Sequence, residues 1–250
     1  MVLTSKRPDG PLDPRPGGRA SALASRLSGW PRGLPSLAWL AGAAVALLAL
    51  MVAVGWLLEQ ADGTAIGRLD TSIVKGLAGD RGSGLTGVTG AITLLAETYS
   101  VIAIGTIAFV VTRLAFSRWR EPMLILAAIA GEVLIFLAVT LLIDRKRPPV
   151  PKLDDAPPTS SFPSGHTAAA VALYGSLALI AWQHLRDRRV AIAVAVVLGA
   201  IPLLVGTSRV YRGMHFPTDV LGGLLLGSLW LCAAVAAVRI GTAHAGKRSR

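Results

Sequence analysis

Charge is the scarcest property of this sequence. Only 16% of its 250 residues are Asp, Glu, Lys or Arg, whereas 53% are hydrophobic. A soluble globular domain carries about 25% charged residues. The scarcity argues against a soluble domain and favours a protein whose surface lies largely in lipid.

Cysteine and acidic residues are also few. The single cysteine, Cys232, excludes a disulfide within the chain, and its apolar surroundings in the sequence predict an inert buried thiol. Asp and Glu number 14 against 25 Lys and Arg, which gives a formal charge of +11. In a soluble protein this excess would indicate nucleic acid as a partner. Here the cations cluster between apolar runs, as membrane topology requires, so we expect no nucleic-acid partner.

Long apolar runs are abundant instead. The first begins too far along the chain, and is too long, to be the core of a signal peptide. We interpret six runs as transmembrane helices crossing a hydrocarbon core of ~30 Å: 36–58, 85–112, 122–143, 167–182, 190–207 and 218–238. The predicted fold class is therefore all-α, a six-span transmembrane helical bundle.

Segments of other composition surround these runs. Residues 1–35 are rich in Pro, Gly, Ser and Arg, which predicts a disordered basic cytoplasmic tail. Residues 36–238 would form the membrane domain, and residues 239–250 a second basic tail. Residues 63–79 carry apolar side chains at helical spacing, which indicates either a short helix in the membrane interface or an ordinary loop helix.

The distribution of cations predicts the orientation. With six spans, sixteen of the 25 Lys and Arg residues fall on the side of the two termini, and nine fall on the other side. Cytoplasmic loops carry the excess of Lys and Arg. We therefore expect both termini in the cytoplasm and the polar stretches described next on the extracytoplasmic face.

Three polar stretches separate the apolar runs on that face: 144–149 (DRKRPP), 160–167 (SSFPSGHT) and 208–219 (SRVYRGMHFPTD). In the last stretch a proline suits the first turn of a helix, whose positive end favours an anion. Arg209 and Arg212 would hold that anion. A histidine oriented by Asp219 would attack it, which describes phosphoryl chemistry without a metal.

Together the stretches resemble the signature motifs of the type 2 phosphatidic acid phosphatase superfamily. This superfamily comprises membrane lipid phosphatases and, distantly, vanadium haloperoxidases. Its Pro-Ser-Gly-His motif is complete at 163–166, and its Ser-Arg-x5-His-x3-Asp motif is complete at 208–219. The remaining motif, Lys-x6-Arg-Pro, matches at Arg147 and Pro148 but has Thr140 in place of lysine. The fold of this superfamily is also a bundle of six helices.

The resemblance implies a role for each matching position. His215 would attack phosphorus and become a phosphohistidine, and Asp219 would fix the tautomer of its ring. His166 would protonate the leaving lipid alkoxide and then deprotonate the water that hydrolyses the intermediate. The phosphate would be bound by groups from all three motifs: Arg147, Ser164, Gly165 and Arg209, with Lys146 as a further candidate.

Other acidic residues invite different interpretations. Asp154 and Asp155 are adjacent and would suit a metal, but the resemblance implies metal-independent chemistry with no cofactor, and two neighbouring carboxylates are usually solvated. Glu97 and Glu132 lie within predicted spans, where an ionisable group is costly and therefore a candidate for function.

The function that we expect is an integral membrane phosphatase acting on a lipid phosphate at the extracytoplasmic face. Polyprenyl diphosphate, phosphatidate and phosphatidylglycerol phosphate are the candidate substrates. A phosphotransferase would use the same residues with an acceptor other than water. Six spans argue against a haloperoxidase. A non-catalytic lipid-binding or transport protein is a further alternative, although both His166 and His215 are retained.

Overall fold

The structure is a computed structural model, and it describes residues 10–26, 33–156 and 158–248. These residues form nine helices and contain no strand, which confirms the all-α prediction. Six of the helices are long and apolar enough to cross a membrane. In chain order the helices are α1 Arg19–Arg26, α2 Leu34–Glu59, α3 Ala65–Gly79, α4 Ser83–Leu94, α5 Thr98–Phe116, α6 Arg120–Leu142, α7 Gly165–His184, α8 Arg188–Tyr211 and α9 Pro217–Arg248.

The three polar stretches meet at one end of the bundle, which we call the site end. Ser161 N donates to Arg145 O at 2.8 Å, and Ser164 N donates to Asp219 O at 3.0 Å. The first bond joins the segment before α7 to the segment after α6. The second bond joins the segment before α7 to the start of α9. Stretches far apart in the sequence therefore form one hydrogen-bonded surface.

Helix α7 lies at the centre of the bundle and contacts α5, α6, α8 and α9. Half of its most apolar window is buried, against 11% for α2 at the periphery. Its first turns are rich in alanine, so neighbouring helices approach closely.

Two glycines of α9 allow the closest of these approaches. A Cβ atom on Gly223 would lie 2.5 Å from Ser164 O, and one on Gly227 would lie 2.8 Å from Ala168 O. Any larger residue would force α9 away from α7. The glycines therefore hold the start of α9, which carries Asp219, against the start of α7.

The second predicted span differs from the structure. Residues 85–112 read as one apolar run, but the chain breaks after α4 and resumes as α5, with Glu97 just before its first turn. Helix α4 packs against α8 through polar groups, because Thr93 and Ser208 share a hydrogen bond of 2.7 Å between their hydroxyls. The hydropathy of the sequence does not indicate such a break.

Helix α3 confirms the helical spacing of residues 63–79. Thr64 caps it by accepting a hydrogen bond from Gly67 N. Ile66 and Leu69 are exposed on one face, whereas Asp70 is buried against the site end. Placement of α3 in the membrane interface remains a prediction.

The terminal segments are more ordered than their composition predicts. Of the expected disordered tail, residues 10–26 pack on the bundle opposite the site end, with Leu12 fully buried and Asp13 bonded to Arg120 at 2.7 Å. Helix α9 continues to Arg248, past the predicted boundary at residue 239. The tail residues 1–9 and 27–32 lie outside the described part of the chain.

The prediction of a buried thiol was wrong. Cys232 is exposed on the surface of α9, where its neighbours Leu231 and Ala233 point into the bundle. A single helical position separates the packed face from the outward face, and the apolar sequence does not distinguish the two.

Candidate active site

His215 lies in the short connection between α8 and α9. Gly213 has a φ of 74°, in the left-handed region that favours glycine, and this turn directs the chain back toward the bundle. Nδ1 of His215 lies 2.7 Å from Ser161 O. Because a carbonyl oxygen only accepts, Nδ1 donates, and Nε2 keeps the lone pair of the neutral ring. Burial lowers the pKa of His215, and the nearby carboxylate of Asp219 offsets only part of that shift.

Asp219 acts on His215 indirectly, through Ser161. Its Oδ2 atom lies 3.8 Å from His215 Nδ1, which is too far for a hydrogen bond. The same oxygen accepts from the Ser161 hydroxyl and from Phe216 N. The direct contact expected from the sequence is thus replaced by an indirect one: Asp219 holds Ser161, whose carbonyl orients the ring.

Arg145 connects Asp219 to helix α3. Its guanidinium donates to Asp219 Oδ1 and, at 2.9 Å, to Asp70 Oδ2. All three side chains are at most 5% exposed. Asp70 also accepts from Thr218 N at 3.2 Å, in the first turn of α9. A buried ion-pair network therefore fixes the start of α9 and the carboxylate behind the histidine.

His166 stands in the first turn of α7. Its Nε2 atom is buried and has no hydrogen-bond partner among the described residues. The nearest acidic group is Glu97, with Oε1 at 3.8 Å. The break between α4 and α5 thus brings Glu97 to the site, whereas the sequence placed it inside a span.

The other two members of the Pro-Ser-Gly-His motif behave differently. Gly165 lines the same cavity as His166 and His215, at the N-terminus of α7, where backbone N–H groups favour an anion. The Ser164 hydroxyl instead shares a 2.9 Å hydrogen bond with Thr167 and is fully buried. The structure therefore does not place the Ser164 side chain on the cavity wall.

Two of the predicted cations line the cavity, whereas Lys146 and Arg212 do not. Arg147 and Arg209 line it, and the Nε atom of each is buried without a partner among the described residues. Met214 O fixes Arg147 by accepting from Nη1 at 2.9 Å. Burial lowers the pKa of Arg147, and Asp219 partly offsets this. Lys146 is exposed and lines a separate groove beside α3.

Asp154 holds the arginines from the solvent side. It accepts from Arg209 Nη1 at 2.7 Å and from Arg212 Nε at 2.8 Å. Burial by itself would raise the pKa of Asp154, but the hydrogen bond from Arg212 and the charges of both arginines bring it below its ordinary value. Asp154 therefore serves as an anchor for cations, and no group of three metal-ligand side chains occurs among the described residues.

The cavity has a charged mouth and an apolar body. Its volume is about 700 Å³. Arg147, His166, Arg209 and His215 surround one part, and side chains of α5 and α6 such as Ile102 and Leu137 line the rest. An amphiphile with an anionic head and an apolar tail matches this division.

The sequence did not identify several residues of the site. Ser161 lies in the polar stretch 160–167 but outside the Pro-Ser-Gly-His motif, and its contribution is a backbone carbonyl, which no side-chain pattern reveals. Asp70 carries one weak signal, because it is an acid on an otherwise apolar helical repeat. Arg145 lies two residues from Arg147 in the same basic run, and only the structure shows which of the two faces the carboxylates.

The fold and the site define a six-span membrane protein with a cavity that combines two histidines and two arginines. Residues 121–241 match the family model of the PAP2 superfamily. The resemblance found in the three motifs is thereby confirmed.

Similar proteins agree with this assignment. The chain is 34% identical to phosphatidylglycerophosphatase B of Bacillus subtilis over 46% of its own length and 56% of that protein. It is 33% identical to undecaprenyl-diphosphatase BcrC of the same organism, over 51% of this chain and 64% of that protein. The chain therefore spans between about half and two thirds of these curated relatives.

A solved structure extends the comparison to about three quarters of this chain. A transmembrane PAP2-type phosphatidylglycerolphosphate phosphatase from Bacillus subtilis superposes with a TM-score of 0.68 and 29% identity. The match covers 76% of this chain and 93% of that one. Together with the six apolar helices, it supports a multi-pass membrane protein.

Proposed function

We propose that this protein is an integral membrane phosphatase that removes phosphate from a lipid through a phosphohistidine on His215. One observation carries the proposal. The bond from Nδ1 to Ser161 O leaves Nε2 of His215 as the free nitrogen, in a cavity that also contains His166, Arg147 and Arg209. The names of the similar proteins, which include a phosphatidylglycerophosphatase and undecaprenyl-diphosphatases, are consistent with this activity.

The first step forms a bond between His215 Nε2 and phosphorus. The bond from phosphorus to the lipid oxygen breaks, and its electron pair stays on that oxygen. His166 Nε2, protonated beside the bound dianion, gives its proton to the leaving group. Arg147 and Arg209 compensate the charge on the phosphoryl oxygens throughout.

The second step regenerates the protein. Water attacks phosphorus, neutral His166 takes its proton, and the bond from phosphorus to Nε2 breaks. The electron pair returns to His215, which again donates only from Nδ1 to Ser161. Inorganic phosphate and the dephosphorylated lipid are the products, and the steps require no metal ion.

The substrate would enter from the membrane. Its tail would occupy the apolar body of the cavity, and its phosphate would lie at the charged mouth. From the excess of Lys and Arg on the other face, we infer that the site end is extracytoplasmic and that both termini are cytoplasmic.

Single cysteines would test this orientation. In a Cys232→Ser background, a membrane-impermeant maleimide should label Asp155→Cys in intact cells and Arg186→Cys only after permeabilisation. The reverse pattern would overturn the orientation and leave the chemistry untouched.

Phosphate release would test the activity. Purified protein in detergent, with excess chelator, is offered phosphatidate, phosphatidylglycerol phosphate and a long-chain polyprenyl diphosphate in parallel. We expect release that survives the chelator and disappears in His215→Ala, with an unchanged unfolding temperature for the variant. Release that requires a divalent cation, or that persists in His215→Ala, would contradict the proposal.

A further inference from the structure

Glu132 is a carboxyl group that the proposed chemistry does not use. It lies on α6, is 1% exposed and lines the apolar body of the cavity. Its Oε1 atom has no hydrogen-bond partner among the described residues. A buried polar group without a partner is costly and rare in folded proteins, so this position calls for an explanation.

Neighbouring residues show how deep in the cavity Glu132 lies. Phe136, one turn nearer the site end on α6, packs against Gly165 at the mouth, where a Cβ atom would lie 2.8 Å from the phenyl ring. Four helical residues rise by about 6 Å. Glu132 is therefore roughly one helical turn below the level at which the phosphate would bind, and Ala169, one turn into α7, lines the cavity with it.

The candidate substrates differ at this depth. A diacylglycerol phosphate carries ester carbonyls a few covalent bonds from phosphorus. A polyprenyl diphosphate carries only hydrocarbon beyond its phosphates. In an apolar cavity the neutral carboxyl is the favoured form, because a charge there is costly. A neutral carboxyl has an O–H to donate, and an ester carbonyl accepts it.

We propose that Glu132 is a specificity-determining residue that hydrogen-bonds an ester carbonyl of the substrate, so that the protein prefers acylglycerol phosphates over polyprenyl phosphates. This inference rests on the proposed phosphatase function. An ester lipid satisfies the buried carboxyl, whereas a polyprenyl or ether lipid leaves it without a partner. A site that hydrogen-bonds one substrate discriminates against an analogue that lacks the group.

The sharpest test compares diacylglycerol phosphate with the matching dialkyl ether, which has the same phosphate and chain length but no carbonyl. Both are presented at equal surface fraction in the same detergent micelles. We expect kcat/KM for the ester to exceed that for the ether by about tenfold, the ratio that 1.4 kcal/mol gives.

Three variants separate the explanations. Glu132→Leu should bring the ratio of ester to ether close to one and should not slow hydrolysis of polyprenyl diphosphate. Glu132→Gln keeps a donor and should preserve the preference. Ile129→Val, at a residue of α6 that also lines the cavity, should leave the ratio of ester to ether unchanged. Loss of all activity in Glu132→Gln, with the protein folded, would indicate proton transfer by Glu132 and overturn the inference.

Rates measured on the wild-type protein separate a failure of this inference from a failure of the proposed phosphatase function. Equal rates on ester and ether lipids overturn the role of Glu132 and leave the phosphatase standing. No His215-dependent release from either lipid overturns both.

Discussion

Arg145 donates a hydrogen bond to Asp219 with one arm of its guanidinium and to Asp70 with the other. Asp70 belongs to α3, early in the sequence, and Asp219 belongs to the first turn of α9, the last helix. Two carboxylates that would repel each other are thus held by one cation in a buried setting. Removing one partner of such a group typically costs about 3–5 kcal/mol of stability, because it leaves a charge unpaired.

Asp70→Asn should therefore lower the unfolding temperature and also kcat, in a protein that still folds. Asn keeps an acceptor but removes the charge that balances Arg145, so Asp219 loses part of its fixed position behind His215. We expect kcat to fall by about tenfold with little change in KM. Steady-state kinetics and the unfolding temperature would be measured together.

Asp80→Asn is the matched control for that variant, because it makes the same change at an exposed position just after α3. Asp80→Asn should have the kcat of the wild type. Asp70→Glu, which keeps the negative charge, should have a higher kcat than Asp70→Asn. An equal fall in kcat for Asp70→Asn and Asp80→Asn would contradict a positioning role for Asp70.

The pH dependence of His215 follows from its burial. Because burial lowers the pKa of the ring, the neutral nucleophile persists below the usual value of about 6.5 and is lost only as the pH falls through the lower folded value. An NMR titration of labelled histidine in the free protein, assigned with His215→Gln, should give a midpoint below 6.5. A midpoint at or above that value would show that Asp219 outweighs burial.

Asp154 should weaken the binding of inorganic phosphate. It occupies one side of Arg209 and partly neutralises that charge. In Asp154→Asn the charge of Arg209 is no longer partly neutralised, and we expect product inhibition by phosphate to become about tenfold tighter at low salt.

The exposed neighbour Asp155 supplies the comparison for this prediction. Asp155→Asn makes the same change of charge without losing a hydrogen bond, so its inhibition constant should shift by less than about twofold. Weaker phosphate inhibition in Asp154→Asn would mean that Asp154 positions Arg209 for the phosphate rather than competing with it.

Thr140 stands where the superfamily motif has lysine. Its hydroxyl bonds to Leu137 O within its own helix, near the site end of α6. A long cation there would reach toward the mouth of the cavity. We expect Thr140→Lys to preserve or raise kcat/KM, measured on the best substrate. Loss of activity in a folded Thr140→Lys protein would count against this alignment of the motif.

The sequence predicts the bundle well because membrane spans are governed by local composition and length. Five of the six predicted spans correspond to single helices of the structure. The exception is the predicted span 85–112. The break at residues 95–97 contains only one charged residue, so the hydropathy averaged along the run does not reveal it. The position of Glu97 beside His166 follows from that break.

The site is predicted less completely, for a physical reason. Motifs identify side chains, whereas Ser161 orients His215 through its backbone. Motifs also do not show which way a side chain points. Ser164 was expected on the phosphate but turns to Thr167, and Arg145 rather than Lys146 is built into the network behind His215. Such assignments depend on contacts between distant segments.

Detection of a phosphoryl group on His215 itself would test the proposed mechanism most directly. A substrate labelled in its phosphate is mixed with the protein, the reaction is quenched at alkaline pH to preserve a phosphohistidine, and peptides are mapped by tandem mass spectrometry. We predict a label on His215 that decays in water and that, once formed, decays more slowly in His166→Gln, which lacks the base for its hydrolysis. Phosphate release with no label on His215 under either condition, or a label on another residue, would contradict it.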